Sequence, residues 1–168
     1  MAVQDDPRVA QFHDERIHYD MRYKEGSSKN GFRGLVAALE EKASMSVTQI
    51  IFFAAAYGFK SGQRKSLKDS EGKKLQGKRL RDLRYHTFNE DDGLNFIDAL
   101  AVYQTEGLDI LKAEKFREKI EIFEEYANQG LFLLDQEMKS GDVEGVIQHL
   151  YKRIKIDEKE SRNNALIG

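Results

Sequence analysis

The stretch Ser44 to Phe59, SMSVTQIIFFAAAYGF, restricts the possible folds more than any other part of the chain. Ser46 and Gln49 form a Ser-x-x-Gln capping box, in which each side chain takes the other residue's free backbone N–H. Gly58 stands where a left-handed C′ residue belongs, and Phe59 supplies the apolar contact that closes a Schellman motif. Between these signals the segment is apolar almost all round, which predicts a central, buried helix. The preceding FRGLVAALEEKA reads as another helix, with Phe32, Leu35, Val36 and Leu39 on one side and Glu40, Glu41 and Lys42 on the other. Two helices joined by three residues are the outline of a DNA-binding helix-turn-helix. A recognition helix, however, needs polar side chains aimed at base edges, and VTQIIFFAAAY offers only Thr48, Gln49 and Tyr57. The pair is therefore expected to be a buried helical hairpin belonging to the core.

The rest of the chain extends an all-α pattern with a single proline, Pro7. The N-terminal DPRVAQFHDERIHYDMRY reads either as a helix or as an extended arm, and Lys24 to Gly31 is a flexible connector by composition. Three amphipathic helices make up the second half. GLNFIDALAVYQTEG starts near Asp91 or Asp92 and stops at Gly107, with Phe96, Ile97, Leu100 and Tyr103 on one face. From Leu108 to Gly141 a long helix carries Phe116, Ile120, Phe123, Ala127, Leu131, Leu134 and Met138 at alternating three- and four-residue steps, the pattern of a helix lying along a bundle. Asp142 then caps VEGVIQHLYKRIK. The expected organisation is an N-terminal arm and connector over 1–30, one helical domain over 31–156 and a C-terminal tail over 157–168. The 168 residues suffice for one buried core.

Charge is distributed unevenly. The net charge is −2. From Lys60 to His86, however, ten basic residues (Lys60, Arg64, Lys65, Lys68, Lys73, Lys74, Lys78, Arg79, Arg81 and Arg84) face three acids, a net of +7. From Thr87 to Glu160, nine basic residues face eighteen acidic ones, a net of −9. Such separation presents one surface to an anionic partner, or else the two segments face each other within the fold. Little apolar periodicity appears in the basic segment before Leu80 and Leu83. It reads as a loop or short hairpin around Glu71-Gly72, followed by a turn of helix or an extended piece. The absence of cysteine removes disulfides and thiolate metal sites and fits an intracellular, cytoplasmic address. No apolar run approaches a membrane span, and the N-terminal residues hold no signal-peptide core.

Catalytic motifs are weak. Gly72, four residues, Gly77 and Lys78 imitate the opening of a P-loop, but no buried strand precedes them, and Arg79 stands where a magnesium-binding hydroxyl belongs. His13 and His18 are five apart, a spacing that does not put two imidazoles on one helical face. Asp135, Glu137 and Lys139 repeat the acidic-x-Lys ending of some nucleases but lie on a helix where those motifs need a strand. No Gly-x-Ser-x-Gly elbow is present. These readings give no catalytic residues, no metal ligands and no cofactor, hence a non-enzyme. The ten basic residues become the candidate nucleic-acid contacts, since lysine and arginine contacts to phosphate carry most non-specific affinity.

At TQIIFFAAAYGFKSGQRKSL (Thr48 to Leu67) the chain resembles the small accessory proteins of bacterial DNA phosphorothioation (Dnd-type) systems. The shared features are an apolar helix ending in Ala-Ala-x-Gly-aromatic-Lys, the Gly/basic run after it, and the later helix GLNFIDALAVYQTEGLDIL with the acidic helix that follows. The similarity extends over Gly31 to Gly141. It implies a role in sulfur-modified DNA biology or linked anti-phage defence, with no active-site motif to carry over, and it aligns Lys60, Arg64 and Lys65 with the family's basic run. The leading expectation is a non-catalytic accessory that contacts DNA, or a DNA-modification complex and its subunits, through the basic segment. The alternative is a protein–protein adaptor using its acidic helices, with the basic loop neutralising them in cis.

Overall fold

The computed structural model describes residues 15–20, 23, 34–68, 71–73, 80–84 and 93–139. Helices dominate, as the all-α expectation requires. They are α1 (Leu35–Ala43), α2 (Val47–Lys60), α3 (Gly93–Thr105) and α4 (Phe116–Lys139), with 3-10 turns at Leu108–Leu111 and Ala113–Lys115 leading into α4. Added to them is a two-stranded antiparallel ribbon of β1 (Arg16–Asp20) and β2 (Leu80–Arg84). The N-terminal stretch is thus extended at Arg16–Asp20, the second of the two forms the sequence allowed. At Glu71-Gly72 the chain turns, with Gly72 at φ 76°, but the partner of β2 is β1. The expected C-terminal helix after Asp142, the tail over 157–168 and most of the N-terminal arm lie outside the described residues.

Helix α4 is the axis of the core. All seven residues of its apolar series, from Phe116 to Met138, are buried. Against it pack Ile50, Ile51, Ala54 and Ala55 of α2, Leu94, Ile97, Leu100 and Ala101 of α3, Leu35, Val36 and Leu39 of α1, and Ile17 and Tyr19 of β1. Burial at this scale, roughly 25 cal/mol per Å² of apolar surface, is the main force holding the layers together. The long helix is shorter at its start than the pattern suggested. Residues 108–115 wind as two short 3-10 turns, because Lys112 is extended (ψ 149°) and interrupts the α-helical path.

The capping box at the start of α2 forms as expected. Ser46 N–H donates to Gln49 Oε1 at 2.9 Å, and Gln49 N–H donates to Ser46 Oγ at 3.2 Å. The other end differs. Gly58 is inside the helix, which continues to Lys60, and the left-handed residue is Gly62 at φ 69°. Gly58 is glycine because of a neighbour. A Cβ placed there would stand 2.1 Å from the backbone oxygen of Tyr126, and one on Gly130 would stand 1.8 Å from that of Ala54. The backbones of α2 and α4 touch at this crossing, where only glycine leaves room. Tyr103, expected on the inward face of α3, is instead 68% exposed and meets Phe59 edge-to-face at 4.9 Å. Among the described residues no helix is long and apolar enough to cross a membrane.

Candidate functional site

The basic segment leaves α2 at Lys60 and immediately folds back onto α4. Ser61 Oγ donates to the Gly58 carbonyl at 2.6 Å, and the left-handed Gly62 turns the chain. Residues 63–66 then run along α4 under four separate restraints. Lys65 N–H donates to the Glu125 carbonyl at 3.1 Å, and Asn128 Nδ2 donates to the carbonyls of Lys65 and Ser66 at 3.1 and 3.2 Å. Gln129 Nε2 reaches Gln63 Oε1 at 3.3 Å, and Leu67 is buried. Because Asn128 and Gln129 are buried themselves, these bonds satisfy polar groups that would otherwise carry a desolvation cost.

The candidate residues separate into groups. Arg64 forms an ion pair with Glu125, Nη1 to Oε2 at 3.4 Å, and the Lys65 ammonium sits 3.5 Å from the centre of the Phe132 ring. Lys60 and Lys68 are exposed, and Lys73 is exposed beside Glu71 at 3.1 Å. Arg81 and Arg84 are placed by the register of β2, opposite Tyr19 and Arg16 respectively. Lys74, Lys78 and Arg79 lie outside the described residues. Arg64 thus meets the protein's own acidic helix, while Lys60, Lys68 and Lys73 are exposed. Beside Lys68 a shallow cleft is lined by Ser66, Leu67, Glu121, Glu124 and Glu125, so the loop lies against a strongly acidic stretch of α4.

A second polar centre, absent from the sequence reading, joins β1 to α4. Glu124 is 2% exposed. Its Oε1 accepts from the His18 backbone N–H and from His18 Nδ1, both at 2.8 Å, and its Oε2 accepts from Arg117 Nη2 at 2.7 Å. Arg117 Nη1 in turn donates to the Arg16 carbonyl at 3.2 Å. Two side chains of α4 thus take one outward N–H and one outward C=O of β1, as a third strand would. One turn away, the buried Lys119 pairs with Asp98 of α3 at 2.6 Å. The signal for Glu124 was present in the sequence. It lies four residues after Ile120 and three before Ala127, inside the apolar stripe, where a carboxylate needs partners.

The titration shifts agree with this arrangement. Burial pushes the Tyr126 phenol above its ordinary value, opposed by the nearby Arg64 guanidinium. Just before the start of the acidic helix, the Glu118 carboxylate, by hydrogen bond and charge, raises the Lys115 ammonium. No group of three or more potential metal-ligating side chains occurs among the described residues, and Asp135, Glu137 and Lys139 lie on α4, with Glu137 accepting a hydrogen bond from Tyr57.

Comparison with known protein families places this architecture. A family model described as DNA sulphur modification system-associated protein 4 matches residues 31–166. The chain belongs to that family. The match spans α1 to α4 and the whole basic segment, and it starts after β1. Association with a DNA sulphur modification system, expected from Thr48 to Leu67, is therefore established for the family as a whole. No curated protein and no solved structure matches the chain.

Proposed function

We propose that this chain is a non-catalytic, cytoplasmic accessory subunit that contacts DNA, or a complex assembled on DNA, through its basic segment. The family's association with DNA sulphur modification supplies the context. The observation that carries the reading is the exposure of Lys60, Lys68 and Lys73 along an excursion whose backbone is fastened to the core at residues 63–67. A fixed base with exposed ammonium groups suits the phosphate backbone, where flexible cations gain affinity by releasing condensed counterions. The remaining cations of the segment, Lys74, Lys78, Arg79, Arg81 and Arg84, complete the proposed contact surface.

A mobility-shift titration of duplex DNA at two salt concentrations tests this. The expected result is binding that weakens steeply with salt and falls in a variant with Lys73, Lys74, Lys78 and Arg79 changed to glutamine. Absence of any shift at low salt overturns DNA contact.

The exposed Tyr103, Leu108 and Leu111 favour the adaptor reading as an alternative. They sit among exposed charges of both signs, Glu106, Asp109 and Glu114 with Lys112 paired to Asp109, a rim suited to a protein partner.

A further inference from the structure

The ion pair between Arg64 and Glu125 has a geometry that differs from the other contacts holding the loop. The main-chain and amide bonds that fix residues 63–66 do not involve the Arg64 side chain. Its guanidinium makes a single contact of 3.4 Å with Glu125, and both side chains are partly exposed, at 36% and 26%. Pairs of this kind contribute little, roughly 0.2–1 kcal/mol, and exchange partners easily. A phosphodiester offers the same guanidinium a bidentate contact at shorter distance. The arginine can turn outward without disturbing the loop that carries it. Behind Glu125 stand Glu121 and Glu124, lining the same cleft as Lys68, so a phosphate cannot approach Arg64 from the α4 side.

We infer that Glu125 is an internal competitor for the DNA backbone: it occupies Arg64 in the free protein and yields it to a phosphate when DNA binds. This inference rests on the proposed DNA contact. It assigns Glu125 the part of a built-in stand-in for phosphate, which lowers affinity and withholds one contact from weakly bound anions. Arg64 is then the conditional member of the basic segment.

The test compares Glu125→Gln and Glu118→Gln in the full chain against a short DNA duplex over a series of salt concentrations. Both remove one negative charge from α4, at a half-buried and an exposed position respectively, but only Glu125 faces Arg64, whereas Glu118 pairs with Lys115. Glu125→Gln is expected to bind about two- to fivefold more tightly than the unmodified chain, the equivalent of the modest pair it breaks. Its plot of log affinity against log salt should keep the slope of the unmodified chain, because Arg64 meets a phosphate in both complexes and only the cost of releasing it differs. Adding Arg64→Gln should abolish the gain in affinity and flatten the slope by about 0.9, the loss of one phosphate contact, and Glu118→Gln should not reproduce the gain. Circular dichroism melts confirm that each variant is folded. If the unmodified chain binds DNA but Glu125→Gln matches Glu118→Gln in affinity, internal competition is wrong and DNA contact stands. If neither the unmodified chain nor Glu125→Gln binds at low salt, DNA contact itself fails.

Discussion

Helix α4 makes two joints that solve the same problem by opposite means. At its crossing with α2, the side chains are removed: Gly58 and Gly130 let two backbones meet, flanked by Ala54 and Tyr126. At its contact with β1, side chains are added: Glu124 and Arg117 reach out to the strand and occupy its backbone groups. The first joint depends on shape. The second depends on charge and hydrogen bonding around the buried Glu124 carboxylate, which requires its partners. A packed crossing tolerates no added atom, whereas a polar joint tolerates no missing one.

That contrast can be broken first at Glu124. Replacing it with alanine removes the acceptor of the His18 donors and one of several partners of Arg117, and leaves a cavity in place of a buried side chain; stability should fall by about 3–4 kcal/mol, read by urea unfolding. A loss below about 1 kcal/mol would show that the polar joint is ornamental. Next in size, Gly130→Ala should cost about 3 kcal/mol, because the new methyl group collides with the Ala54 backbone and the helices must separate. Alanine is the better helix former, so any stabilisation would show that the two backbones are not in contact.

The smallest effect is one of pH. Tyr126, whose carbonyl meets Gly58, has a phenol raised above its ordinary value by burial. The folded state holds that proton more tightly than the unfolded chain does. Its contribution is complete below the ordinary phenol value near 10 and is lost as pH rises through the raised folded value. Unfolding measured from pH 8 to pH 12 should show this alkaline decline, and Tyr126→Phe should remove the part due to this group.

Much of the architecture could be read directly because periodicity and capping are local. The apolar series of α4 is buried at every position, and the Ser46–Gln49 box closes as its spacing demands. Gly58 misled because two causes produce the same residue: a glycine near a helix end can be a cap or a point of close approach, and the choice depends on Gly130, far along the chain. Strand β1 was ambiguous for a similar reason, since five residues have no pattern of their own and gain their form from β2 and α4. In the candidate site, charge count identified the basic segment, but the withdrawal of Arg64 by Glu125 and of Lys65 by Phe132 depends on how the loop returns over α4. Sequence alone does not carry that geometry.

The crossing of α2 and α4 also bears on how fast this molecule forms. Helical proteins usually fold rapidly because their contacts are close in sequence. Here the bond from Tyr57 to Glu137 spans 80 positions and that from His18 to Glu124 spans 106. Each helix can flicker into being within microseconds, yet the core closes only when distant parts of the chain have found one another. The entropy of closing such loops precedes any reward from packing. A chain with the composition of a fast helical folder should therefore fold more slowly than helices with local contacts alone, with its ten-cation segment in the stretch of chain that must close.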